Sequence, residues 1–556
     1  MDDKTDKEAD RYRVLFLSER HHGPIVEPGT ISITPSSNSW NDFGERILIN
    51  LAIQPRRGIG VKHEGLTFKS FFGFLEKQNG RFDTEPLRGL VDQNPEIPVP
   101  ADRMPAYFTM LPDMESYRRI VEQLGPDEAR IVLRAMNDMV EADDRPAGQP
   151  WVRTARNSLL FLTAFLRHNA PYFAWKSAAP ILLGAKHEKL DRISEGIRIN
   201  FQLAGRPNTH DLKFQFAHGD DVLPQRFAIV IGKNGVGKSQ TLTQIVDAAL
   251  RGSIKLTDLE GNRPVFNRIL GFYTSSSTTS VFPSDRRRDA HVWYRRFSMV
   301  SGRSRQTTSD LIIQLARNFE EIAGQSRYEI FLRAIAAIEG YRELALRTKP
   351  GERGPVPIFR LRDGGEYEAL ERYASINTRA EPVRLIEGKT YPLSSGELSF
   401  LRFAALVGLY IENGTLLLLD EPETHLHPNF ISQFAALLNG LLKQTGSAAI
   451  LATHSVYFVR EAIESQVTVL RSDEKRMISV ETPTLKTFGA DVGAISYFVF
   501  GEDQPSSLAR WVENQIVDQK TSWKEVFDTY KDLISLDLLG EIRAKVEGRN
   551  HKTDDQ

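Results

Sequence analysis

Phe227 to Ser239 reads FAIVIGKNGVGKS, and this stretch decides the fold. Phe227 to Ile231 is an unbroken apolar run of strand length, so it is expected as a buried strand. The glycines Gly232, Gly235 and Gly237 let the backbone turn so that successive N–H groups point into one concavity. Beyond them Leu242, Ile245, Val246 and Ala249 recur at helical spacing. Strand, glycine-rich loop and helix in that order make a phosphate cradle. Its expected members are Gly232, Lys233, Asn234, Gly235, Val236, Gly237, Lys238, Ser239 and Gln240. Lys238 can neutralise outer phosphates, Ser239 can offer a hydroxyl to Mg²⁺, and the helix N-terminus adds its partial positive charge. The ligand expected is a nucleotide with Mg²⁺.

Working outward, the chain has 556 residues, 41% hydrophobic and 26% charged, which is the balance of a soluble globular protein with room for more than one domain. Lys+Arg 71 against Asp+Glu 72 leaves a net charge of -1, so the molecule as a whole is not an obvious polyanion binder. Cys 0 excludes disulfides, thiolate metal sites and cysteine nucleophiles, and fits a reducing cytoplasm. No apolar run has membrane-span length, and Met1 to Asp10 is charged rather than signal-like. The expectation is a cytoplasmic protein with no membrane partner.

Upstream of the loop, Ile197, Ile199, Phe201 and Leu203, then Leu212, Phe214 and Phe216, alternate with polar residues as half-buried antiparallel strands do. Earlier still, Val14 to Leu17, Ile31 to Ile33 and the alternating Ile47, Ile49, Leu51 and Ile53 predict short strands. The proline-rich stretch from Pro86 to Pro105 reads as a connector. Helices are expected around Tyr117 to Leu124, Ile131 to Val140 and Ser158 to Leu166. Residues 1–195 are thus a mixed α and β region with no legible chemistry. His21-His22 and Arg167-His168-Asn169 lack companions at ligand spacing and read as surface or packing histidines.

Downstream, Ile269 to Tyr273 predicts a strand, followed by the polar run Thr274 to Ser280. Asp285 to Arg305 is arginine-dense, with Arg286, Arg287, Arg288, Arg295, Arg296, Arg303 and Arg305 among Trp293, Tyr294 and Phe297. This reads as a solvated face with packed aromatics, although the same residues could grip nucleic acid or an acidic partner. Leu311 to Leu346 reads as helical, with Leu311, Leu315, Phe319, Phe331, Ile335 and Ile338 on apolar stripes. A helical, arginine-rich insertion over about 284–385 therefore divides a nucleotide domain of 196–501. Residues 502–556 are expected to be helices that pack or bind a partner.

The second half of the nucleotide site begins at Leu393-Ser394-Ser395-Gly396-Glu397, at the start of a predicted helix. Ser394, Ser395, Gly396 and Glu397 gather hydroxyl, backbone N–H and helix-dipole groups suited to a γ-phosphate. Thr415 to Leu419 is then an apolar strand ending in Asp420-Glu421. Asp420 is placed to hold Mg²⁺ opposite Ser239, and Glu421 is the candidate general base. Strand Ala448 to Ala452 ends in Thr453-His454-Ser455, which brings an imidazole to the same sheet edge. Lys238, Glu421 and His454 are the candidate catalytic residues. His425 and His427 have an HxH spacing but read as a dimer-facing loop.

GKNGVGKS, LSSGE, LLLLDEPETHLHP and LATHS, in that order across about Ile197 to Gly501, resemble the ABC-type ATPases of the SMC/RecF/OLD group. The series YPLSSGE, DEPETHLHP, ATHS and TFGADVG looks most like the PtuA-type ATPases of the anti-phage Septu systems and some retrons. The resemblance implies an α/β ABC-ATPase head, with a P-loop core sheet, an antiparallel β-layer and an inserted helical subdomain. It also implies a head-to-tail ATP sandwich, in which Ser394 to Glu397 of one subunit faces Gly232 to Ser239 of another, and a separate HNH-type effector nuclease as partner. The chain departs from the pattern where Ser275 to Thr279 replace a Mg²⁺-contacting glutamine, and where Ser395 replaces the first glycine of LSGGQ. A RecF/SMC-like DNA-repair head is the alternative, and an OLD-type nuclease is a further one, although Ser472 to Gln556 shows no convincing DxD.

Overall fold

The computed structural model describes residues 12–23, 25–37, 45–56, 65–145, 149–217, 222–274, 282–285, 290–300, 306–424, 426–500, 507–519, 522–531 and 533–553. Strand Phe227–Gly232 is buried throughout and lies inside a seven-stranded sheet. Across that sheet the order is Trp293–Ser298, Arg268–Tyr273, Thr415–Asp420, Ala448–Thr453, Phe227–Gly232, Val467–Ser472 and Ile478–Glu481. The first six strands run parallel and the last is antiparallel. Parallel strands covered on both faces are apolar along their whole length, as TLLLL and AAILA show. One face packs on helix Lys238–Arg251 and the antiparallel strands Gly196–Gln202, Thr209–Gln215 and Leu256–Thr257. The other face packs on helices Thr308–Ala316, Arg327–Ile335, Ser395–Tyr410 and Pro428–Thr445. This is an α/β fold in which a mostly parallel sheet carries an antiparallel layer on one face and a helical subdomain on the other, the architecture that the resemblance implies.

Two expectations within the head are corrected. Leu311 to Leu346 is not continuous helix: Thr308–Ala316 and Arg327–Ile335 are separated by the hairpin Glu321–Ile322/Gln325–Ser326, and Leu344–Leu346 is a strand. Asn318 Oδ1 accepts from the Glu320 N–H at 2.7 Å, a local turn that competes with the helix and leaves Phe319 exposed. The arginine-dense segment does not belong wholly to the insertion either, because Trp293–Ser298 is the edge strand of the core sheet. Arg286, Arg287, Arg288, Arg303 and Arg305 lie outside the described residues, as do Ser275 to Thr279 and His425.

The N-terminal region is a six-stranded sheet, in the order Val99–Pro100, Arg13–Phe16, Thr30–Pro35, Leu48–Gln54, Leu66–Phe74 and Tyr107–Met110. Helices Met114–Leu124, Pro126–Ala135 and Asn169–Ser177 share its apolar core. The expected connector from Pro86 holds a helix, Thr84–Val91, because a proline in the first turn removes an N–H that has no intrahelical partner. His22 is a surface residue near Glu96, and His168 packs with Nδ1 against the Ala290 carbonyl at 2.9 Å. Helices Ser507–Gln519, Trp523–Tyr530 and Leu536–Thr553 have a small core of their own around Ile516, Val526 and Ile542. Among the described residues, no helix is long and apolar enough to cross a membrane.

Asp138 has a measurable signature within this region. Its fully buried carboxyl caps helix Met139–Asp143 through the Val140 and Glu141 N–H groups and accepts the Tyr117 hydroxyl at 2.9 Å. Burial pushes it up to about 7, above its usual 3.8, so the folded state takes up a proton that the unfolded chain releases. Its contribution to stability is therefore full below the usual carboxylate range and is lost as pH rises through about 7. Asp138→Asn keeps a cap acceptor and is expected to flatten the fall in stability between about pH 4 and 7, which has a slope of up to about 1.4 kcal/mol per pH unit. Denaturant melts of both proteins across that range measure it.

Candidate nucleotide site

The phosphate loop is shaped by what surrounds it. A side chain at Gly232 would strike the Leu470 carbonyl on the neighbouring strand, and one at Gly237 would strike Leu203 from the antiparallel layer. Gly237 also adopts φ +102 as the N-cap of helix Lys238–Arg251, a conformation that glycine takes without steric cost. Lys233, Asn234, Gly235 and Gln240 are exposed along the loop, whereas Val236 is buried beneath it. Lys238 is buried, and its Nζ donates to the carbonyls of Gly232 (2.9 Å) and Lys233 (3.2 Å). Desolvation lowers its pKa, against the pull of Glu421, Glu423 and Asp420.

The sheet brings the other groups to the same edge. Asp420 on strand Thr415–Asp420 is level with Ala452, and Ala452 with Val230, so three parallel strands end together. Asp420 is 4% exposed, with its Oδ1 buried and without a hydrogen-bond partner. Burial raises its pKa to about 6, partly offset by the Ser239 hydroxyl bonded to its carboxylate. A buried carboxylate oxygen left unpaired beside a hydroxyl is a donor set that suits a hard dication, so the residues present fit Mg²⁺.

Glu421 follows at φ +48, the left-handed region that a residue with a Cβ enters at a cost. Two bonds hold it there: its N–H donates to the Ala452 carbonyl at 2.8 Å, and its carbonyl accepts the Thr274 hydroxyl at 2.7 Å. The turn throws the Glu421 side chain out beyond the strand ends, where its Oε1 lies 3.8 Å from Nδ1 of His454. His454 is half exposed, which leaves its outer edge open.

Ser394 to Glu397 stand apart from this cluster. Ser394 is the N-cap of helix Ser395–Tyr410 and forms a reciprocal capping box with Glu397, which also pairs with Arg384 at 2.5 Å. Ser394 and Ser395 are exposed and Gly396 is buried. Among the described residues, the polar partners of this segment are its own members and Arg384, not the phosphate loop.

Three residues beyond the expected set join the site: Glu423, Thr274 and Arg206. Glu423, just before His425 and His427, is buried with its Oε1 on Thr453 and His454. Arg206, from the turn of the antiparallel layer, donates to the Gly235 carbonyl at 2.7 Å. The signal for Glu423 was a third acid within the span Asp420 to Glu423, and nothing local marked the other two. His427 caps helix Pro428–Thr445, and among the described residues no cluster of three or more His, Asp or Glu could hold a metal by itself.

A family model described as "AAA domain, putative AbiEii toxin, Type IV TA system" matches residues 388–460, the segment from just before the capping box to just past His454. Protein ea59 of Escherichia phage lambda is 23% identical over 484 residues, covering 81% of this chain and 85% of that one. Among solved structures, the SMC head domain from Thermotoga maritima is 15% identical, covering 53% of this chain and 100% of that one, with a TM-score of 0.27. CbiO1 from Clostridium perfringens, part of the ABC transporter complex cbiONQ, is 15% identical, covering 59% and 96%, with a TM-score of 0.28.

Proposed function

We propose that this chain binds and hydrolyses ATP at a site completed head-to-tail by a second copy, and that the closed state controls a separate effector nuclease of the HNH type. One observation carries the first part. Phosphate loop, Asp420, Glu421 and His454 meet at one sheet edge, while Ser394 and Ser395 at the start of the next helix are exposed and, among the described residues, the side chains of Ser394 to Glu397 bond only within this segment and to Arg384. An exposed helix N-terminus that makes no bond to its own phosphate loop suits the nucleotide held by another copy.

In this reading the N–H groups of Gly235 to Ser239 and the Lys238 ammonium bind the β- and γ-phosphates. Glu421 polarises the attacking water, and His454 steadies the γ-phosphate from the side. Ser239 and Asp420 would hold Mg²⁺, which when bound supplies positive charge to the phosphate oxygens. Ser394 and Ser395 of the second copy close the site and exclude water. The effector part rests on the likeness of the motif series to PtuA-type ATPases. A repair-type reading has its own support in Arg295, which lies 4.8 Å over the Tyr410 ring and 5.9 Å over that of the partly exposed Trp293. Such a cationic and aromatic edge suits nucleic acid.

Mixing two inactive variants tests the shared site. Lys238→Ala disables the phosphate loop, and Ser395→Arg blocks the closing surface of the other copy. Each alone is expected to lose ATP turnover. In an equimolar mixture each dimer of one of each holds one intact site of the two, so turnover should recover well above the sum of the two variants and to no more than about half of wild type. Recovery no greater than the sum of the two variants overturns the shared site.

A further inference from the structure

We propose that Glu423 is a positioning residue of the ATPase, acting through His454 and not on the nucleotide. Its carboxylate comes from the turn after Asp420-Glu421 and its partners from the loop after strand Ala448–Thr453, so it joins two separate segments of the sheet edge. One oxygen, Oε1, accepts the Thr453 hydroxyl (2.7 Å) and the His454 backbone N–H (2.9 Å), and lies 3.2 Å from Nδ1 of the His454 ring. Thr453 in turn accepts the Ser455 N–H at 2.9 Å, so the whole Thr453 to Ser455 turn hangs on this carboxylate.

The side chain of Glu423 is 7% exposed, against 48% for His454 and 38% for Glu421. Glu423 is therefore buried behind the imidazole, and Glu421 and His454 face outwards. A carboxylate oxygen beside Nδ1 places a proton on that nitrogen and leaves Nε2 as the outward edge of the ring. The same contact restricts rotation of the ring, as buried carboxylates do for metal-bound histidines. Two requirements follow. The acceptor oxygen must be present, and it must reach across to the neighbouring loop; glutamine meets both, and aspartate falls short by one methylene.

The inference rests on the ATPase reading above and is tested by steady-state turnover of the full chain with Mg·ATP. Glu423→Ala is expected to lower kcat by roughly 30-fold with KM for ATP changed by less than about 3-fold, the size of effect seen when a group orienting a histidine is removed. Glu423→Gln should stay within about 3-fold of wild type, and Glu423→Asp should fall with the alanine variant. The decisive readout is a double-mutant cycle with His454→Ala. If Glu423 acts through the imidazole, the double variant is no slower than His454→Ala alone. Additive losses, equal losses in Gln and Ala variants, or a rise in KM that matches the loss in kcat each overturn the proposal. Should Glu423→Ala fail to fold, the order of the Gln and Asp variants decides alone. Absence of turnover in the wild-type chain overturns the ATPase reading, and is distinct from any of these results.

Discussion

Glu421→Gln is expected to cut ATP turnover at least about 100-fold while nucleotide stays bound, and to accumulate the closed dimer. The amide occupies the same volume and can still hydrogen-bond a water, but it takes no proton in the transition state, and loss of a general base costs on the order of 10²–10⁴ in rate. The backbone supports the substitution: Glu421 sits at φ +48, pinned by its N–H on Ala452 and its carbonyl on Thr274, and neither bond involves the side chain. Binding should thus survive when chemistry does not. Lys238→Ala should behave in the opposite way. Its ammonium is the buried cation of the loop, and without it the β- and γ-phosphates lose a positive charge beside the carboxylates of Asp420 and Glu421. Nucleotide affinity should fall more than about tenfold and the dimer should not form. Size-exclusion chromatography with light scattering in Mg·ATP, beside a phosphate-release assay, separates the two. A monomeric Glu421→Gln protein with bound ATP would break the link between nucleotide and closure.

These residues were legible because their chemistry is written locally. The glycines of the phosphate loop, the four leucines before Asp420 and the alternation from Ile197 to Leu203 each report a neighbourhood of a few residues, and the sheet supplies the rest by bringing parallel strand ends together. Glu423 was harder, since its meaning depends on Thr453 and His454 some thirty positions later. Phe319 was misplaced because its spacing from Leu315 matches a helix, whereas the turn made by Asn318 had already ended that helix. Arg118 carried no signal at all: it lies among ordinary helix residues, and its partner Glu412 is 294 positions away.

That last pair leads to the largest stability effect expected. Arg118 from the N-terminal region, Glu188, Arg327 from the helical subdomain and Glu412 have side chains 5%, 0%, 4% and 2% exposed. Arg118 forks onto both oxygens of Glu188 and reaches Oε2 of Glu412, each at 2.8 Å, while Arg327 takes Glu412 Oε1. Burial alone would push the Glu412 carboxyl up, but Arg118, Arg327 and Arg268 outweigh it and hold it down at about 2. A depressed carboxyl contributes stability that is full above its usual 4.5 and lost as pH falls towards 2, here roughly 3 kcal/mol. Glu412→Gln removes the charge at every pH and leaves Arg118 and Arg327 buried without their shared counter-ion, so about 3–5 kcal/mol should go at pH 7. The same acid-linked loss of stability should then be missing from the variant. Glu412 also sits just before strand Thr415–Asp420, so the network fastens the N-terminal helix Met114–Leu124 to the strand that carries Asp420. Calorimetry should accordingly resolve the wild-type transition into two in Glu412→Gln, the N-terminal region melting apart from the nucleotide core. A variant that melts in one transition at the wild-type temperature would show that apolar packing, not this ion network, joins the two.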